Sequence, residues 1–196
     1  MYKIDFLIYT VSMKIPEMRT RTYFLLAAFF ILLPKVLGNY QGETGRLLVA
    51  APASDEIFHE TVVYVERHSP GSALGFIINV PLRAADLDFE IPAEWKDIPL
   101  YNGGPVGTPK ETVFYMYGKE QGHLTFSQTE KGKPDGIMLG YAGWGAMQLN
   151  YEIVRDRWGV IDYDPALVFG TDPGLVWDLA RRRVMSKEFD RGRKVL

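Results

Sequence analysis

Three histidines, His59, His68 and His123, are the first candidates for chemistry, because an imidazole titrates near neutral pH and ligates metals. None stands at a metal-ligand spacing, since His59-Glu60 is not followed by the second histidine that a helical zinc motif requires. His59 and His123 read as surface or hydrogen-bonded side chains. His68 directly follows a strand-like run, and a ligand or hydrogen-bonding role stays open for it. The chain has no cysteine, which removes thiolate nucleophiles, disulfides and zinc ribbons together. A Gly-x-Ser-x-Gly nucleophile elbow is absent as well. A general base would fall to His68, Glu66 or an acidic loop residue. The balance leans away from an enzyme, and no catalytic residue, metal ligand or cofactor is assigned.

The remaining candidates suit binding. Gly103-Gly104-Pro105 reads as turn geometry, or as a nest presenting backbone N–H groups to an anion, though it lacks the Lys and Ser/Thr of a phosphate loop. Between Gly140 and Gly145 the glycines alternate with Tyr141 and Trp144, and Gly143 lies between those aromatics. Such a run is a tight crossing of the core or the wall of a ligand pocket. Asn79, just before Val80-Pro81, satisfies buried backbone groups or holds a ligand. Together these loops are expected to form one face that binds a protein or a small molecule.

Positioning them calls for an ordinary globular domain. The 196 residues are 47% hydrophobic, 23% charged and 13% aromatic, with net charge −2. That composition excludes disordered, collagen-like and multi-span membrane classes, and the length suits one domain. Residues 18–38 carry Arg19 and Arg21, then an apolar run of eleven, Tyr23 to Leu33, then Val36 and Gly38 at processing-site spacing. This is the secretory signal pattern, in a run shorter than the roughly 17–25 residues that span a bilayer. Residues 1–38 are thus expected to be an N-terminal extension and signal peptide, and residues 39–186 the domain. The location expected is the periplasm, with an uncleaved inner-membrane anchor or a cytoplasmic protein as alternatives. Beyond residue 38 there are 17 Lys and Arg against 22 Asp and Glu, a balance that disfavours nucleic acid. Any membrane contact is expected through the N-terminal segment. Residues 187–196 read as a basic, frayed tail.

Buried or β-branched runs predict strands at residues 46–51, 61–67, 73–80, 112–117, 123–127, 137–141, 158–161 and 166–169. The strands at 61–67 and 73–80 form a hairpin about the Ser69–Ser72 turn. Residues 81–99 read as an acidic, exposed connection. Helical spacing of Met147, Asn150-Tyr151 and Val154 predicts a helix over 146–155. Asp172-Pro173 opens a last helix at 175–185. The class expected is α+β with a mixed sheet and a few flanking helices.

Several segments, in order, resemble the YqgE/AlgH family of small bacterial proteins. They are Leu47-Leu48-Val49-Ala50-Ala51-Pro52, the stretch from Phe58 to His68, Gly75-Phe76-Ile77-Ile78-Asn79-Val80-Pro81-Leu82, Gly103-Gly104-Pro105-Val106, and the run from Leu139 to Leu149 containing GYAGWG. Phe169 and Trp177, flanking Thr171-Asp172-Pro173, resemble the family's C-terminal segment. The resemblance spans about residues 46–184 and implies a single compact α+β domain with a partly barrel-like sheet. It carries no established reaction, and the family's common label is transcriptional regulator. Three departures stand out: Met147 replaces a usual glycine, the segment before GYAGWG is short and lacks a helix, and most members have no signal sequence.

Overall fold

The computed structural model describes residues 42–54, 56–108 and 110–193, so the expected signal peptide lies outside the described residues. Ten strands form two five-stranded sheets. The first sheet has the order β10-β1-β2-β3-β9 and is antiparallel throughout. Its strands are β1 (Arg46–Ala50), β2 (Val62–His68), β3 (Ala73–Ile77), β9 (Ala142–Trp144) and β10 (Trp158–Asp162). The second has the order β4-β5-β8-β6-β7 and is mixed, because β5 and β8 run parallel. It comprises β4 (Pro81–Leu82), β5 (Leu100–Asn102), β6 (Val113–Tyr117), β7 (Thr125–Ser127) and β8 (Gly136–Leu139). Among the described residues three helices complete the domain, α1 (Gln148–Val154), α2 (Pro165–Phe169) and α3 (Pro173–Arg193). The α+β class holds, with two sheets in place of one barrel-like sheet.

Alternation along the strands builds the layers. Leu47 and Val49 of β1 face a core shared with Phe76, Met116 and Met138 and covered by Val176, Ala180 and Val184 of α3. Leu48 and Ala50 face the other way, into a core with Trp144, Leu149 and Trp158. The far face of the second sheet buries Leu100, Ile137 and Leu139 against Trp95. β1 is therefore apolar on both faces, as a central strand must be. The Tyr64 hydroxyl links the sheets' surroundings: it donates to the Leu124 carbonyl and accepts from the Leu124 N–H, both at 3.2 Å.

Three expectations change. Residues 166–169 lie in helix α2, because Asp164 accepts from the Ala166 N–H at 2.9 Å and Pro165 occupies the first turn. α3 runs to Arg193, so the segment after Ser186 continues the helix. Within residues 81–99 two short 3-10 turns, Ala84–Asp86 and Ala93–Trp95, bring Trp95 into the third core. The predicted helix over 146–155 forms as α1, with Met147, Tyr151 and Val154 exposed and Leu149 the buried residue of α1.

Candidate functional site

The two glycine runs meet where the chain changes sheets. β8 ends at Leu139, Gly140 turns at φ +79°, and β9 begins in the other sheet at Ala142. The single strand expected at 137–141 is thus two strands, one in each sheet. The strand expected at 73–80 also stops, at Ile77, and β4 begins in the second sheet at Pro81. Residues 103–106 cross this switch at backbone contact. A Cβ on Gly103 would lie 2.2 Å from the Gly140 carbonyl oxygen. One on Gly104, whose φ is +143°, would lie 2.4 Å from the Tyr141 carbonyl carbon. Only glycine fits such approaches.

The same crossing uses the polar groups that an anion would need. Gly103 N–H donates to the Leu139 carbonyl at 2.8 Å, and Gly104 N–H to Asn102 Oδ1 at 3.2 Å. Val106 and Tyr141 exchange N–H···O bonds of 2.9 and 3.1 Å. With its donors directed into its own fold, the Gly-Gly-Pro-Val loop is built as a crossing, the turn reading of the two considered.

Asn79 is buried and satisfies backbone on both sides. Its Oδ1 accepts from Val62 N–H at 2.8 Å and its Nδ2 donates to the Glu60 carbonyl at 2.9 Å. Glu60 holds φ +53°, so this bridge fixes a strained entry into β2. His68 is also buried, away from these loops. Its Nδ1 accepts from Glu43 N–H at 3.0 Å, which places the ring proton on Nε2, 3.1 Å from Asn150 Oδ1. That arrangement leaves no lone pair directed at a substrate.

Trp144 belongs to a network that sequence reasoning missed. The indoles of Trp144 and Trp158 both donate to Glu152 Oε2, at 3.0 and 2.8 Å. Gln148 completes the set through its Nε2, which donates to Glu152 Oε1 at 2.9 Å. The two indoles meet edge to face with centroids 6.0 Å apart, and Phe58 packs on both. One half-buried carboxylate thereby fastens α1 to β9 and β10. The only advance signal was a glutamate at i+4 from Gln148 on a short helix between two tryptophans.

The candidate loops line two concavities. Gly104 and Pro105 border a groove of about 440 Å³ with Ile57, His59, Val80 and Asn102. Val106, Tyr141, Gly143 and Trp144 border an open trough of about 330 Å³ with Arg67 and Leu74. The structure brings Tyr141, Gly143 and Trp144 together in that trough, and places Gly104 in the groove. Asn79 and His68 line neither. Electrostatically, Glu66 stands apart: burial pushes its carboxyl up to about 7, with Arg67 pulling back. Burial also raises the Tyr64 hydroxyl, and Tyr163 is pushed up to about 12 by burial and then by its neighbours Tyr64, Asp135 and Asp164. Among the described residues no three His, Cys, Asp or Glu side chains are grouped to hold a metal ion, and no helix is long and apolar enough to cross a membrane.

Two sheets exchanging strands at a glycine crossing, closed by a long C-terminal helix, define a compact α+β domain of mixed topology. The AlgH-like family, DUF179, matches residues 47–187, and the chain belongs to it. A UPF0301 protein of Pseudomonas savastanoi pv. phaseolicola is 32% identical over 165 residues, covering 71% of this chain and 87% of the relative. A UPF0301 protein of Vibrio cholerae is 28% identical, covering 72% and 91%. Among solved structures, the solution structure of AlgH from Pseudomonas aeruginosa is similar with TM-score 0.56 and 29% identity, covering 71% of this chain and 87% of that one. A crystal structure of a Corynebacterium diphtheriae protein shares the fold with TM-score 0.55 at 24% identity.

Proposed function

We propose that this domain binds another protein in the trough beside β9 and performs no chemistry of its own. The observation that carries the reading is the trough itself: an edge strand with an exposed Gly143 at its centre, flanked by Leu74, Tyr141 and the 37%-exposed Val106. An edge strand with a side-chain-free residue admits an incoming segment, and the apolar flanks supply burial. The occupied ring nitrogens of His68 argue against a reaction based there. The acidic balance beyond residue 38 argues against DNA, the target that a transcriptional regulator would need. Residues 18–38 support export to the periplasm as the setting.

A photo-crosslinking amino acid in place of Val106, compared with one at exposed Glu130, tests this reading in living cells. A discrete adduct from Val106 that Gly143→Glu abolishes is the expected result. Equal adduct patterns from the two positions would overturn the reading. The mass of the endogenous protein after osmotic shock tests the export. A periplasmic species starting near Asn39 is expected, and a cytoplasmic species retaining Tyr23 to Leu33 would refute it.

A further inference from the structure

We propose that Asn102 is a site of spontaneous deamidation that folding holds shut, so that the reaction marks chains which stay unfolded. Among the asparagines of this chain, Asn102 is the one that a glycine follows. In an unfolded Asn-Gly pair no Cβ shields the second residue's nitrogen from the side-chain carbonyl carbon. The Gly103 nitrogen attacks Asn102 Cγ, an N–C bond closes a succinimide ring, and the Gly103 proton leaves with the side-chain amide as ammonia. Water then opens the ring. Attack at one ring carbonyl gives aspartate. Attack at the other gives isoaspartate, in which the main chain runs through the side-chain carbon.

The crossing between the sheets requires this labile pair. A Cβ on Gly103 has no room, since it would lie 2.2 Å from the Gly140 carbonyl oxygen. Asn102 serves the next glycine, because its Oδ1 accepts from the Gly104 N–H at 3.2 Å, at a residue whose φ is +143°.

In the folded domain the reacting atoms are committed elsewhere. Gly103 N–H donates to the Leu139 carbonyl at 2.8 Å, and the Gly103 carbonyl accepts from Ile77 N–H at 2.9 Å. Gly103 is thereby tied to β8 in one sheet and to β3 in the other. Asn102 ends β5 opposite Leu139, and its own N–H donates to the Val80 carbonyl at 2.9 Å. Ring closure has to swing the Gly103 nitrogen out of these bonds toward Cγ. Asn102 is exposed to the water that the second step consumes, so the restraint on the backbone is what stops the reaction.

The isoaspartyl product does not fit back. Its linkage adds one carbon to the main chain before Gly103, where bonds to Leu139, Ile77 and Val80 fix the residue spacing. The aspartyl product keeps the natural main chain and an oxygen to accept from Gly104 N–H. Deamidation thus divides unfolded chains into those that still fold and those that do not.

The test incubates the full chain at one mildly alkaline pH, in buffer and in guanidinium chloride, and follows the peptide bearing Asn102 by mass spectrometry. Conversion of amide to acid is expected to be at least about 10-fold slower in buffer. In denaturant, Gly103→Ala should slow it at least about 5-fold, because a methyl group then shields the nitrogen. In buffer, Asn79→Ala should speed it at least about 10-fold by raising the population of opened chains. After dilution from denaturant, isoaspartate at this position should be at least about 5-fold scarcer in the folded fraction than in the unfolded one. Asn102→Asp should fold. Equal rates in buffer and denaturant would overturn the inference, as would a Gly103→Ala chain reacting at the natural rate or an unchanged rate in Asn79→Ala. Isoaspartyl chains that fold in full proportion, or an Asn102→Asp variant that fails to fold, would overturn the sorting of products. Each of these results leaves the trough reading untouched.

Discussion

Replacing Glu66 by Gln should change how stability depends on pH. Glu66 lies at the β-bulge between Val65 and Arg67, half-buried, with its carboxyl held near 7 against an ordinary value of 4.5. Burial favours the neutral acid, so the folded state binds this proton more tightly than the unfolded chain. The favourable contribution is complete below about pH 4.5 and is lost as pH rises through about 7, above which the ionised carboxylate is a constant penalty. At about 1.36 kcal/mol per pH unit the difference has an upper limit of about 3.4 kcal/mol. The side chain is partly exposed, and screening reduces the expected effect to roughly 1–2 kcal/mol. Urea denaturation followed by tryptophan fluorescence, at several values between about pH 4.5 and 8, would measure it. The Gln variant should gain on the natural chain by that amount across the range, since other titrating groups cancel in the difference. A difference that stays flat within about 0.5 kcal/mol would refute the burial argument for Glu66.

Three further perturbations follow from the site. Glu152→Ala strands the indole N–H groups of Trp144 and Trp158 and should cost about 2–4 kcal/mol with a red-shifted emission, whereas Glu152→Gln retains an acceptor and should cost about half as much. Asn79→Ala leaves Val62 N–H and the Glu60 carbonyl without their partner, and urea denaturation should show a loss of about 2–3 kcal/mol. Gly104→Ala drives a methyl group into the Tyr141–Ala142 backbone, so a loss above about 3 kcal/mol, or failure to accumulate in soluble form, is expected.

The strands were legible where apolar and β-branched residues run uninterrupted, as in β1, β2 and β6, and the hairpin of β2 and β3 followed from its turn. The two sheet exchanges were not, because periodicity continues through Ile78 and Tyr141 while the chain changes partners. Helix α2 was misread although Asp164-Pro165 carries the same opening signal as Asp172-Pro173. That short segment also holds the β-branched Val168 and aromatic Phe169, residue types that strands favour. The spacing of Met147, Asn150-Tyr151 and Val154 located α1 but left open which side is buried, since periodicity defines a stripe without saying what covers it. Bonds such as His68 to Asn150, or the indoles to Glu152, join positions far apart or on different elements. No local pattern encodes them.

The place of β1 in its sheet governs how the domain can be made. Arg46–Ala50 emerges early in synthesis, yet one of its two neighbours is β10, Trp158–Asp162, and the Ala50 carbonyl takes a bond from the Trp177 indole at 2.9 Å. Leu47 and Val49 stay uncovered until Val176, Ala180 and Val184 exist to lie over them. A nascent chain lacking its last fifth therefore holds an interior strand with one edge open and one face bare. Pairings this distant in sequence close slowly. Commitment to the native state therefore waits for β10 and α3, which the ribosome makes last.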